Sequence, residues 1–119
     1  MSKRTTGETA LASRAEAIAR LNDHLRTTGT GGAILITRNV KHITGFDADV
    51  LAAALAAYDE FGPGSDPYGE RDFGTMTLWG YDLLWKIDYY DKDLKFGSDD
   101  PDNPAVTSRV LTVMLASDW

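Results

Sequence analysis

Three features of the sequence predict an α+β fold with a small, mostly antiparallel sheet. Two segments, about 13–27 and 48–61, repeat their apolar residues at three and four positions, the period of an amphipathic helix. Two others, 33–37 and 72–90, carry short apolar or alternating runs rich in β-branched and aromatic residues, as strands do. The chain has 119 residues, enough for one hydrophobic core and too few for two, so these elements must share it. The expected order is α-β-α-β-β-α. A hairpin at 72–90 and a strand at 33–37 pack against the helices, in one domain over 9–119 behind a disordered tail at 1–8.

Each element has its own justification. Ile18, Leu21 and Leu25 form the apolar stripe of the first helix. Ser13 with Glu16 three residues on reads as a capping box, and Gly29 as the stop. The strand at 33–37 follows Gly31-Gly32. Val50, Leu51, Ala54, Leu55 and Tyr58 make the stripe of the second helix, which Asp47 can cap. The Gly- and Pro-rich stretch 62–67 then reads as a loop. In the hairpin, Gly80-Tyr81 as a two-residue turn pairs Leu78 with Leu83, Met76 with Trp85 and Gly74 with Ile87. Met76, Leu78, Leu83, Trp85 and Ile87 then share one face, and Gly74 marks a bulge or close packing. Pro104 behind Asn103 predicts a helix over 104–117, with Val106, Val110, Val113 and Met114 as its stripe. The β-branched content of that segment leaves a strand as the alternative.

Composition narrows the function classes. No cysteine is present, which excludes disulfides, thiolate metal sites and cysteine nucleophiles and fits a reducing compartment. No secretory signal and no membrane-length apolar run is evident, so the expected location is cytoplasmic. The net charge of −6 is unevenly placed: residues 1–45 carry +4 and residues 46–119 carry −10. An acidic half repels nucleic acid and attracts basic surfaces.

The segments Trp85-Lys86-Ile87-Asp88-Tyr89-Tyr90-Asp91, Phe96-Gly97-Ser98-Asp99-Asp100-Pro101 and Thr107-Ser108-Arg109-Val110-Leu111-Thr112-Val113-Met114-Leu115-Ala116, with Asp72-Phe73-Gly74 and Leu21-Asn22-Asp23 upstream, form a long pattern. It resembles an uncharacterised bacterial family, domain-of-unknown-function family 3768. The resemblance implies a setting on plasmids and integrative elements of alphaproteobacteria, and no activity. Arg71 stands where a histidine is common in that family.

Candidate chemistry is sparse. A calcium loop starting at Asp91 would place Lys95 where an oxygen ligand is needed and Phe96 where glycine is needed. Gly29-Thr30-Gly31-Gly32 follows a helix and opens a strand, the reverse of a phosphate loop. His24 and His42 have no ligand spacing, and no serine sits in a nucleophile-elbow context. No catalytic residue, metal or cofactor is therefore assigned. Trp79 at the hairpin tip reads either as an exposed aromatic anchor or as packed beneath the loop at 62–71. The expected function is an interaction protein encoded on a mobile element, an inhibitor of host defence of the anti-CRISPR or anti-restriction kind. It would dock on a protein partner with a basic nucleic-acid-binding surface through Trp79, Asp88, Asp91, Asp93, Asp99, Asp100 and Asp102, without binding nucleic acid itself or a membrane. The alternative is a small metal-dependent hydrolase or nuclease using clustered carboxylates, with Glu70, Asp72, Asp93 and Lys95 as the residue types.

Overall fold

Apolar residues on one phase of every strand, and on one stripe of each long helix, close a single core in the computed structural model, which describes residues 6–119. Helix α1 (Thr6–Thr28) leads into strand β1 (Ala33–Ile36), a one-turn helix α2 (Arg38–Lys41) and helix α3 (Ala48–Ala57). Strands β2 (Phe73–Leu78), β3 (Tyr81–Tyr90) and β4 (Ser108–Leu115) follow, and a 3₁₀ turn (Ala116–Asp118) ends the chain. The fold is α+β with a four-stranded mixed sheet in the order β1-β4-β3-β2; β1 runs parallel to β4 and the other pairs are antiparallel. Among the described residues no helix is long and apolar enough to cross a membrane.

Several expectations are corrected. The segment 104–117 is not a helix: Ser108–Leu115 is β4, with buried and half-buried residues alternating along it. Val110, Thr112 and Val113 are β-branched and fit a pleated surface. The alternation needs Arg109, Leu111 and Val113 inward together, which a helix would scatter. Helix α1 runs through Ser13, so the proposed capping box is not an N-terminus, and residues 6–8 are helical rather than tail. Residues 1–5 of the expected tail lie outside the described residues. The third helix ends at Ala57, not Phe61. Gly29 (φ +75°) does stop α1, its N–H donating to Leu25 C=O at 2.8 Å. Asp47 caps α3, accepting from the Asp49 and Val50 amides at 2.9 and 3.3 Å.

The hairpin register differs from the expected one. Its turn is Trp79-Gly80, not Gly80-Tyr81, with φ positive at both residues (54° and 81°), the type I′ geometry that matches strand twist. Leu78 pairs with Tyr81, Met76 with Leu83, Thr75 with Leu84 and Gly74 with Trp85. Because the pairing moves by two residues, side-chain parity is kept. Leu83, Trp85 and Ile87 are buried on the inner face with Leu111 and Val113, and Met76 and Leu78 pack against them. Leu25, Leu51 and Leu55 cover that face from α1 and α3. Gly74 is the close approach: Tyr58 and Trp85 meet there with ring planes at 86° and centroids 5.4 Å apart. Among the described residues α1 and α3 do not cover the opposite face of the sheet, although Leu84 on it is only 5% exposed. There Trp119 leans on Phe73 (6.1 Å between centroids) and under the Lys86 ammonium (5.7 Å).

Candidate functional site

Strand β3 delivers the chain into an acidic loop, and β4 takes it back. The loop opens with a tight turn in which the Asp91 amide donates to Phe96 C=O at 2.8 Å and the Asp91 carboxylate accepts from the Lys95 amide at 3.0 Å. Leu94 occupies the left-handed region at φ 58°. The Ser98 amide returns to Tyr89 C=O at 3.0 Å. At the loop's base the buried Thr107 hydroxyl donates to Asp100 C=O at 2.7 Å and meets the Ser98 hydroxyl at 2.7 Å. The buried Arg109 donates to Pro101 C=O. These bonds tie the loop's ends to β3 and to the start of β4.

What the loop presents is exposed apolar side chains among carboxylates, with Leu94 on the side of Gly31–Ala33 and Phe96 and Val106 on another. Leu94, Phe96 and Val106 are 60%, 73% and 45% exposed. Phe96 and Val106 line a surface hollow of about 490 Å³ with Asp91, Ser98, Asp99 and Asp100. Arg14 of α1 reaches the same loop: its guanidinium donates to Asp99 C=O at 2.7 Å and lies 3.9 Å from the Asp100 carboxylate and 3.5 Å from that of Asp102. These pairs are solvent-exposed, and such pairs are worth about 0–1 kcal/mol. Residues 91–103 hold five aspartates against Lys92 and Lys95, a local charge of −3 before Arg14 is counted.

The structure gathers five of the seven expected contact residues, Asp91, Asp93, Asp99, Asp100 and Asp102, into this loop. Asp88 lies apart on the sheet face opposite the helices, its carboxylate 2.6 Å from the Lys86 ammonium. Trp79 sits at the other end of β3, about 30 Å away at some 3.3 Å per residue. It is half-buried on Phe46, 5.4 Å between ring centroids, rather than under the loop at 62–71. Of the residue types considered for a nuclease, Asp93 and Lys95 are exposed in the turn, whereas Glu70 and Asp72 flank Tyr89. Among the described residues no three His, Cys, Asp or Glu side chains gather as ligands for a metal ion.

Sequence reading missed the polar network behind the loop. Arg109 Nε donates to Asn22 Oδ1 at 2.6 Å; Asn22 Nδ2 donates to the Tyr89 hydroxyl at 2.8 Å and Glu70 C=O at 3.0 Å. The Tyr89 hydroxyl donates to Glu70 Oε1 at 2.8 Å. Burial and the Glu70 carboxylate push the Tyr89 phenol well above its usual range, so it remains a donor. Burial pulls the Arg109 guanidinium below its ordinary value, while Tyr89, Glu70 and Asp102 hold it up. A second arginine, Arg26, donates to the carbonyls of Leu55 and Tyr58 at 2.7 and 3.0 Å and pairs with Asp23 at 3.0 Å. It closes the C-terminal end of α3, where helix carbonyls lack partners. A usable signal existed: Arg109 shares the inward phase of Leu111 and Val113, and a charge on the buried phase of a strand demands buried partners.

A four-stranded mixed sheet with helices on one face, carrying an acidic loop with exposed apolar side chains, defines a small α+β protein. A family model described as protein of unknown function DUF3768 matches residues 36–118, and the chain belongs to that family. No curated protein and no solved structure matches it.

Proposed function

We propose that this chain is an interaction protein that binds a basic protein partner through the loop at 91–106. The observation that carries the reading is the pairing of exposed Phe96 and Val106 with Asp91, Asp99 and Asp100 around one hollow. Interfaces concentrate energy in a few large apolar or aromatic anchors ringed by polar groups. The carboxylates steer a basic partner in, and Phe96 supplies the contact that dehydrates. The loop's anchorage to Thr107 and Arg109 lowers the ordering cost of binding.

The partner we infer is a nucleic-acid-handling complex of host defence, CRISPR-type or restriction-type, whose Lys/Arg-lined channel the loop occupies in place of phosphates. A local charge of −3 is small for phosphate mimicry alone, so Phe96 and Val106 must supply much of the affinity. Neither the hydrolase nor the nuclease reading has a comparable observation behind it.

The test is plasmid or phage challenge of defended strains with and without the protein, paired with affinity measurement against the complex that responds. Binding weakens as salt rises, chiefly through the on-rate. Asp99, Asp100 and Asp102 changed together to lysine abolish it with a shift of only a few degrees in Tm, because their contacts to Arg14 are exposed. Phe96→Ala slows association little and speeds dissociation. Unchanged protection across a panel of CRISPR and restriction systems refutes the reading. Inhibition that survives both variants removes the loop from it.

A further inference from the structure

We propose that the free edge of β2 binds an extended basic segment of a partner protein, which adds to the sheet as a fifth strand. This surface lies at the opposite side of the sheet order from β1 and does not depend on the loop at 91–106. Among the described residues strand β2 pairs only with β3. Because the turn has two residues, Leu78 and Tyr81 form a hydrogen-bonded pair, and the Ile87 amide donates to Asp72 C=O at 2.8 Å. By alternation, Gly74, Met76 and Leu78 direct their N–H and C=O groups to β3. Phe73, Thr75 and Thr77 direct theirs outward, where no strand of the described residues meets them.

An open row of backbone donors and acceptors is a template for another strand, and proteins usually blunt it with lysine, proline, a bulge or a very short strand. The opposite edge, β1, is four residues long. Strand β2 is six residues long, Phe-Gly-Thr-Met-Thr-Leu, with no charge, no proline and unbroken pairing along its length. Thr75 and Thr77 on its outer phase are exposed and β-branched, which suits a paired rather than a bare strand.

Beside this edge runs a groove of about 790 Å³. Its helix-side wall is apolar, formed by Ala54, Ala57, Tyr58 and Met76, and its far side carries Thr75, Thr77 and Asp82. A strand of five or six residues laid along the edge, about 17–20 Å long, would send alternate side chains into these two walls. The occupant's chemistry follows from the charges. Asp59, Glu60 and Asp82 line the groove, no cation lines it, and none of the three is in an ion pair among the described residues. Asp82 only accepts from the Thr77 hydroxyl, at 3.0 Å. The matching segment alternates a small or medium apolar residue, toward Tyr58 and Met76, with Lys or Arg toward the carboxylates. Backbone pairing gives such complexes their affinity and alternate side chains their specificity.

The test uses the full chain and a fluorescent (Lys-Val)₄ peptide, with (Glu-Val)₄ as its counterpart. Anisotropy shows the lysine peptide binding and the glutamate peptide failing to bind. Hydrogen exchange of the Phe73, Thr75 and Thr77 amides slows on binding. Thr75→Pro removes an outward N–H that takes no part in the β2–β3 ladder, a position where an edge strand tolerates proline. It weakens binding by about tenfold or more, with an unchanged circular dichroism spectrum. Should that variant unfold, the exposed pair Asp59→Lys and Glu60→Lys serves instead and reverses the preference toward (Glu-Val)₄. Changing Asp99, Asp100 and Asp102 to lysine leaves this binding intact, which separates the groove from the loop. Absence of binding at millimolar peptide, or protection confined to residues 91–106, overturns the proposal. So does concentration-dependent self-association that Thr75→Pro abolishes, because the edge would then pair with a second copy.

Discussion

Gly74→Ala should destabilise the chain by about 1 kcal/mol, and the cost should vanish when Trp85 is shortened. An added Cβ at Gly74 would stand 2.5 Å from both Trp85 Nε1 and Tyr58 Cζ and 2.7 Å from Trp85 Cε2, about 1 Å inside the usual carbon contact of about 3.5–4.0 Å. The half-buried Tyr58 can turn toward the groove it lines, but Trp85 has no room to retreat. Trp85 is fully buried, and Tyr58 and Phe61 pack on it at 5.4 and 6.2 Å between centroids. Overpacking of this kind costs about 1–3 kcal/mol, occasionally more. The stiffer unfolded chain of an alanine variant offsets about 0.4–1 kcal/mol of that, which leaves a net loss of about 1 kcal/mol. Urea unfolding of the parent, Gly74→Ala, Trp85→Leu and the double variant makes the cycle. The coupling between the two sites should be about 2 kcal/mol. Gly74→Ala within about 0.5 kcal/mol of the parent, or equal costs in both backgrounds, refutes the packing. Coupling to Ile87→Val instead of Trp85→Leu would restore the register that pairs Gly74 with Ile87.

Two further outcomes test the interior. Burial, opposed by a backbone hydrogen bond and reinforced by Glu70, Asp66 and Asp88, raises the Asp72 carboxyl above its ordinary 3.8. The folded chain then holds this proton more tightly than the unfolded one, so stability falls as pH rises from about 3.8 through the folded value. Asp72→Asn should be more stable than the parent at pH 7 and equal to it at pH 3 by urea unfolding; a loss at pH 7 would show that the carboxylate has a stabilising partner. A chain beginning at residue 33 should show no cooperative thermal transition, and a sharp, reversible one would show that α1 is dispensable.

How much of this was legible in the sequence depended on whether a residue's partner was local. The cap at Asp47, the stop at Gly29 and the inward set around Trp85 follow from nearest-neighbour chemistry and period, and all three stand. The turn was misplaced by one residue because Trp79 was not expected at positive φ. A non-glycine residue pays for that conformation, and Trp79 is held in it by packing on Phe46, more than thirty positions away. Strand β4 was misread for a related reason: it lies between β3 and β1, and its parallel pairing with β1 reaches about 75 residues upstream, which a local pattern cannot show. The loop's aspartates were visible as charge, whereas the exposure of Leu94, Phe96 and Val106 became clear only once the buried Thr107 and Arg109 fixed the loop's base.

The family match begins at residue 36, yet the folded unit does not. Helix α1 contributes Ile18 and Leu25 to the interior at 3% and 0% exposure, and each such side chain is worth about 1.5–3 kcal/mol of transfer energy. Its Asn22 is the acceptor that satisfies Arg109 and the donor that reaches Tyr89 and Glu70. Its Arg26 closes the end of α3. Without α1, Arg109 keeps its place on the inward phase of β4 but loses its side-chain acceptor, and a buried polar group left unpaired costs about 1–3 kcal/mol. Together these losses match the whole stability of a small domain, about 5–15 kcal/mol. Arg109 also donates to Pro101 at the base of the acidic loop, so the helix that completes the core also sets the platform on which Phe96 and its carboxylates stand. The functional reading therefore has to be tested on the chain that includes α1.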